Sequence, residues 1–189
     1  DLADPASVRA MADAIGRKYD RIDGLVNNGA IAENIAGKSF EELTVEDWDR
    51  LMAVNVRGSW LVIKECAKLL RKSPAGRVLN VASDTMLSGA PRMLHYVTSK
   101  GAIVGMTRAL ARELGVDGIT INAIAPGLTL TEATETVPAH RHRLAEEARA
   151  LPRKQHPEDV VGTVLYFLSD ASGFVTGQTL AVNGGFTFT

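Results

Sequence analysis

Apolar runs too short for helices alternate along this chain with longer stretches of helical period. That alternation restricts it to an α/β fold on a mostly parallel sheet. Four runs carry the strand signal: Gly24 to Asn27, Arg77 to Ala82, Ile119 to Ala125 and Thr179 to Val182. Each but the last leads into a helical pattern. Asp4 and Pro5 predict an N-cap and first helical position for a helix to about Lys18, with Val8, Met11 and Ile15 on one face. A long helix is expected from Val45 to Leu70, where Thr44 and Asp47 form an imperfect capping box and Trp48, Leu51 and Val54 keep helical spacing. His95 to Leu114 reads as a helix carrying Gly101, Ala102, Gly105 and Ala109, with Gly115 ending it. Residues 128–150 read as a charged, mobile helical flap, and Pro157 to Ser169 as a further helix.

A chain of 189 residues suits one well-buried domain, taken here as residues 1–189. Its formal net charge of -1 offers no electrostatic case for nucleic acid or an anionic membrane. No apolar run approaches the ~18 to 20 residues of a membrane span, and no basic stretch with an apolar core opens the chain. Cys66 is the single cysteine, so no internal disulfide forms and a reducing compartment, the cytoplasm, is expected. The expected partners are small molecules and copies of the chain itself. The apolar tail Phe186 to Thr189 is a candidate for a subunit interface. Asp1 stands where a start methionine would, which leads to the expectation that the natural polypeptide begins upstream.

The chemistry concentrates on one spacing. Tyr96 and Lys100 lie four residues apart, so both project from one helix face and set an ammonium beside a phenol that ordinarily titrates near ~10. Alone, such a pair is common surface decoration. Ser83, thirteen positions before Tyr96, gives it weight, because it stands just past a buried strand, where a doubly wound sheet gathers its ligands. Asn55, a poor residue for a helix interior, also calls for a reason. A hydrolase built on Ser83, Asp84 and His95 lacks a Gly-x-Ser-x-Gly turn. His95, His140, His142 and His156 form no metal-ligand spacing, and the His140 to Arg143 cluster reads as a solvated face. Met86, Leu87, Met93 and Leu94 make the loop before Tyr96 apolar. That favours a hydrophobic or aromatic alcohol or ketone, though ordinary packing selects the same residues.

Taken in order, these residues resemble the short-chain dehydrogenases/reductases. The matches are Asn27-Asn28-Gly29-Ala30, Asn55 in Asn-Val-Arg-Gly, Ser83 with Tyr96 and Lys100, Asn122 to Gly127 with Thr131 beyond, and Thr176-Gly177-Gln178 leading to Asn183-Gly184-Gly185. The resemblance implies a Rossmann-like doubly wound parallel sheet and hydride transfer between NAD or NADP and an alcohol or carbonyl. Under it Tyr96 is the general acid/base, Lys100 lowers the phenol's pKa and binds the nicotinamide ribose, Ser83 fixes the substrate oxygen, and Asn55 holds a water of a proton relay at a helix kink. It further implies that Asp1 and Leu2 contact adenine, that Asn28 runs along the adenosine ribose, and that Gly127, Thr129 and Thr131 lie by the nicotinamide. A homotetramer or dimer is expected, through the small-residue faces of the two long helices and the C-terminal region.

Two departures stand out. Gly29 and Ala30 are swapped relative to the family's usual order, a change expected to be tolerated. The family's glycine-rich phosphate loop and its flanking strands have no counterpart, a shortfall of roughly 55 to 60 residues given that one βαβ unit takes about 30. The sheet is therefore expected to lack its first three strands. This leaves two readings of the chain: part of an ordinary dehydrogenase, or a truncated, inactive fragment acting only in association. A 3-oxoacyl-carrier-protein reductase and an aromatic-alcohol dehydrogenase are both open as substrate classes.

Overall fold

The computed structural model describes residues 1–188, so of the tail only Thr189 lies outside the described residues. Four strands form one sheet: β1 (Gly24–Asn27), β2 (Arg77–Val81), β3 (Thr120–Pro126) and β4 (Thr179–Val182). They lie in the order β1-β2-β3-β4, every pairing parallel. Parallel neighbours need a crossover, and the helices α1 (Pro5–Lys18), α2 (Val45–Met52), α3 (Ser59–Leu70), α4 (Thr85–Ser88), α5 (Leu94–Leu114), α6 (Ala139–Glu147) and α7 (Glu158–Leu168) lie before and between the strands.

The strands read as nearly continuous apolar runs because both faces of the sheet are covered. Val78 and Ile121 face one way and pack with Val8 of α1, Leu61, Cys66 and Leu70 of α3 and Leu114 of α5. Leu79 and Ile124 face the other way, onto Phe167 of α7. Fully burying a side chain such as Leu70, which has no exposed surface, stabilises the fold by about 1.5–3 kcal/mol. The edge strand is less protected. Among the described residues β1 pairs only with β2, and Val26 is left 39% exposed.

The helix termini follow the local chemistry, with one correction inside the expected long helix. Asp4 accepts a hydrogen bond from Ala6 N and Pro5 opens α1. Thr44 and Asp47 complete a full capping box at α2, Thr44 Oγ1 accepting from Asp47 N at 3.1 Å while Asp47 Oδ2 accepts from Thr44 N at 3.2 Å. The helix expected from Val45 to Leu70 is not one α-helix, however: residues Ala53–Gly58 form a π turn between α2 and α3. Gly115 ends α5 as its C-cap, its N–H donating to Ala111 O. The chain runs on through a 3-10 turn, Gly115–Asp117, and turns away only at Gly118, whose φ of 73° is left-handed.

Candidate active site

The carboxyl ends of the strands lie along one edge of the sheet, where open α/β sheets bind ligands. Asn28 follows β1, Ser83 follows β2, Gly127 follows β3 and Asn183 follows β4. The first two turns of α5 bring Tyr96 and Lys100 to that edge. Both are buried, at 9% and 4% exposure. The Lys100 ammonium stands 5.6 Å from the Tyr96 ring centre and donates to the Val81 carbonyl at 2.8 Å. Among the described residues Val81 is its single hydrogen-bond partner, so two N–H groups of a buried ammonium remain for a ligand.

Burial decides the titration of this pair. It pushes the Tyr96 phenol above its ordinary value; a hydrogen-bonding pull from Ser83 opposes this, and the Asp84 carboxylate adds to it. Burial also brings Lys100 down to about 8. The expectation that Lys100 depresses the phenol is therefore not met in this state: desolvation disfavours the phenolate, and the ammonium is turned toward a carbonyl. Ser83 is 8% exposed, and its Oγ accepts hydrogen bonds from Thr85 Oγ1 at 2.9 Å and Thr85 N at 3.3 Å.

Asn55 explains the π turn around it. Its Oδ1 accepts from Ile31 N at 2.7 Å, and its Nδ2 donates to Ile31 O at 3.2 Å and to Ser99 Oγ at 3.3 Å. Ser99 Oγ in turn donates to the Tyr96 carbonyl at 2.7 Å. The amide thus ties the loop after β1 to the turn of α5 that carries Tyr96. The Asn55 carbonyl accepts instead from Ser59 Oγ at 2.9 Å. A widened turn of this kind is common at functional sites.

The remaining candidates are positioned less uniformly. Asp1 is exposed and turns its carboxylate onto Ala3 N at 2.8 Å. Leu2 is a packing wedge: a Cβ on Gly29 would fall 2.8 Å from its Cδ1, and one on Gly58 would fall 2.9 Å from its Cβ and carbonyl oxygen. At position 29 a Cβ would meet only the flexible end of Leu2, whereas at position 58 it would also meet the Leu2 backbone. Asn28 is exposed at the end of β1. A Cβ on Gly127 would lie 2.8 Å from Gln155 Oε1 and 2.9 Å from Asn183 Cβ, so this glycine admits protein neighbours. Thr129 Oγ1 donates to the Gly127 carbonyl at 3.0 Å. Thr131 is exposed and caps the 3-10 turn Glu132–Thr134.

Several residues at this edge carry no obvious sequence signal. Asn27 and Asn80 bond side chain to side chain across β1 and β2 at 2.9 Å, and Asn80 donates to Thr107 Oγ1 at 2.9 Å. An asparagine inside the apolar run of β2 was the available clue. Met86 packs against Ala82, Ile103 and Val104, whereas Leu87 is exposed and lines a groove on the outer side of α5. The flap residue Arg149 is 7% exposed and donates to the carbonyls of Leu128 and Arg153 at 2.8 and 2.9 Å. Among the described residues, no group of three His, Cys, Asp or Glu side chains suits a metal ion, and no helix is long and apolar enough to cross a membrane.

Comparison with known proteins bears on this edge directly. The family model described as "Enoyl-(Acyl carrier protein) reductase" matches residues 1–187. The chain is 34% identical over 185 residues to a 3-oxoacyl-(acyl-carrier-protein) reductase of Thermotoga maritima, covering 98% of this chain and 74% of that protein. It is 37% identical over 185 residues to a (2S)-[(R)-hydroxy(phenyl)methyl]succinyl-CoA dehydrogenase subunit of Thauera aromatica, covering 98% and 73%. The crystal structure of levodione reductase superposes with a TM-score of 0.87 at 30% identity, over 98% of this chain and 74% of that one. These relatives are dehydrogenases and reductases, the levodione reductase structure shares the fold, and the match runs through all four strand ends: the chain belongs to the short-chain dehydrogenase/reductase family of oxidoreductases.

Proposed function

We propose that the chain carries the catalytic residues of a NAD(P)-dependent alcohol dehydrogenase or ketone reductase. The observation that supports this most is that Tyr96, Ser83 and a partly unsatisfied Lys100 are all buried at one strand-end edge of the sheet. A nicotinamide cofactor, when bound, supplies or accepts the hydride. Charge then builds on the substrate oxygen, and two hydroxyl donors fixed there stabilise it more than the ground state. Ser83 orients that oxygen and Tyr96 gives or takes the proton. Lys100, with two free N–H groups, suits the vicinal diol of a ribose. The residues present fit the nicotinamide end of such a cofactor; the 189 residues hold no glycine-rich strand-to-helix turn for its pyrophosphate.

The substrate is a hydrophobic or aromatic alcohol or ketone, in keeping with the apolar Met93 and Leu94 just before Tyr96. The acyl-carrier-protein and CoA thioesters in the relatives' names make a 3-oxoacyl thioester the alternative class. The fully buried Cys66, a lone cysteine, supports a cytoplasmic setting.

One series of measurements separates the readings. The chain, its intact mass first verified, is titrated with NADH and with NADPH by fluorescence, then assayed against aromatic ketones and a 3-oxoacyl thioester. Binding of either nucleotide is expected, with Tyr96→Phe abolishing turnover while leaving nucleotide affinity largely intact. Turnover retained by Tyr96→Phe removes Tyr96 from the mechanism. Failure of a 20.2 kDa chain to bind either nucleotide favours the fragment reading.

A further inference from the structure

The flap leaves the sheet at the strand-end edge, just after Gly127, and returns at Arg149. Little fastens it in between. α6 buries no side chain, its Leu144 is 60% exposed, and among the described residues no hydrogen bond from residues 131–148 reaches outside 128–149. The flap has ties of its own, however: Thr134 Oγ1 donates to Thr129 O at 2.7 Å and accepts from Thr131 N at 2.9 Å, and His142 Nε2 meets Thr134 O at 3.2 Å. From Gly127 to Ala150 the single buried residue is Arg149, at 7% exposure.

That one side chain joins the two feet of the flap. One end of its guanidinium donates to Leu128 O at 2.8 Å on the outgoing foot, and the other donates to Arg153 O at 2.9 Å beyond the returning foot. Gln155, 5% exposed and 3.5 Å from the same guanidinium, carries the connection on: its carbonyl accepts from Leu130 N at 2.9 Å and its Nε2 donates to Val182 O of β4 at 2.7 Å. The Asn183-Gly184-Gly185 motif makes the room. Both glycines are left-handed, at φ 66° and 76°; a Cβ on Gly184 would fall 3.2 Å from Arg149 Cδ, and one on Gly185 2.7 Å from Ala150 Cβ. Leu151 N then donates to Gly184 O at 2.9 Å.

The guanidinium bonds only neutral acceptors, and its buried Nε has no partner among the described residues. An apolar side chain would be cheaper to bury there. What the planar fork alone supplies is donors aimed in two directions from one rigid group. We infer that Arg149 is a positioning residue, a clasp that holds both feet of the flap to each other and to the end of β4, so that residues 131–148 open and close as one lid at the strand-end edge. The lid's part in substrate binding rests on the proposed activity; the clasp does not.

The test uses the full chain with Arg149→Met, which keeps an unbranched stem and removes the fork. Trypsin is expected to cut after Arg141 and Arg143 at least about tenfold faster in the variant, with little change outside the flap, because cleavage follows the population of the locally opened form. Equal acceleration at every site overturns the inference, and so does an unchanged flap rate. Should the variant fail to fold, hydrogen exchange on the parent decides. Protection of Leu130 N–H and Leu151 N–H, one at each foot, is expected to agree within about fivefold, since one clasp releases both, and a larger difference overturns the inference. Where turnover is measurable, KM for the ketone rises more than kcat falls, because a lid open part of the time lowers the substrate's apparent affinity by that fraction. A loss confined to kcat overturns the lid's part in binding. Absence of turnover in the parent chain counts against the hydride-transfer reading alone, because digestion and exchange still decide on the clasp.

Discussion

Replacing Lys100 by methionine isolates the energetic consequence of burying an ammonium at the site. Lys100 is 4% exposed and titrates at about 8, against 10.5 for a free lysine. A displacement of that size is worth about 3 kcal/mol, at 1.36 kcal/mol for each pH unit. The sign follows from proton counting. Below about pH 8 both folded and unfolded chains carry the charge, and the folded chain bears its full desolvation cost. Between 8 and 10.5 the folded chain has released the proton while the unfolded chain still holds it, so stability rises with pH. Methionine removes the group and with it this rise. At pH 7 relief of the burial cost is set against a lost charge-assisted bond to Val81 O, about 1.5–3 kcal/mol, and the two nearly cancel. By pH 9.5 the parent should gain about 2 kcal/mol on the variant, or about 4–8 °C in Tm for a chain of this size. Tyr96 stays neutral over that window because burial holds its phenol above the ordinary value. The assay is thermal unfolding by circular dichroism at pH 7.0 and 9.5 on both proteins. A Tm difference unchanged between the two pH values would refute the reasoning, since it would mean that Lys100 is solvated.

Asn55→Ala removes the amide that satisfies both backbone groups of Ile31, leaving two partly buried groups unpaired at about 1–3 kcal/mol each, so the Tm should fall by at least about 4 °C. A melting curve within about 2 °C of the parent would show that water replaces the amide at once. Self-association is expected through the outer face of α5. There Gly101 and Gly105 have nothing within 4 Å of a Cβ position, and a concave surface of about 1180 Å³ is lined by Leu87, Val104, Arg108, Ala111 and Val116. Light scattering should report a dimer or tetramer, and a mass of 20.2 kDa at working concentration would contradict this.

The features readable from sequence are those set by local chemistry or by the pattern of burial. The central strands β2 and β3 show as apolar runs because both sheet faces are covered there. The capping residues Asp4 and Thr44 are legible because a cap is completed within three residues. The Tyr96 and Lys100 spacing is legible because a helical turn is a fixed length. Features decided by distant partners were not readable. The helical period of Trp48, Leu51 and Val54 runs straight into Ala53–Gly58 and hides the π turn, which goes with bonds from Asn55 to Ile31 and Ser99, 24 and 44 residues away. Met86 and Leu87 suggested a substrate wall by composition, and the path of the loop turned Met86 onto α5 and left Leu87 exposed.

For the chemistry, the sequence by itself determined which groups share one edge: a serine past a strand, and a phenol and an amine one helical turn apart. Connectivity and helix geometry suffice to bring these together. The protonation state of the same groups was decided only by the tertiary structure. A four-residue spacing suggests an ammonium lowering a phenol; desolvation from every side raises the phenol and lowers the amine, and Asp84 enters the balance because the folded chain closes over its carboxylate. Spacing is a property of the backbone, whereas the cost of a charge depends on all the atoms around it.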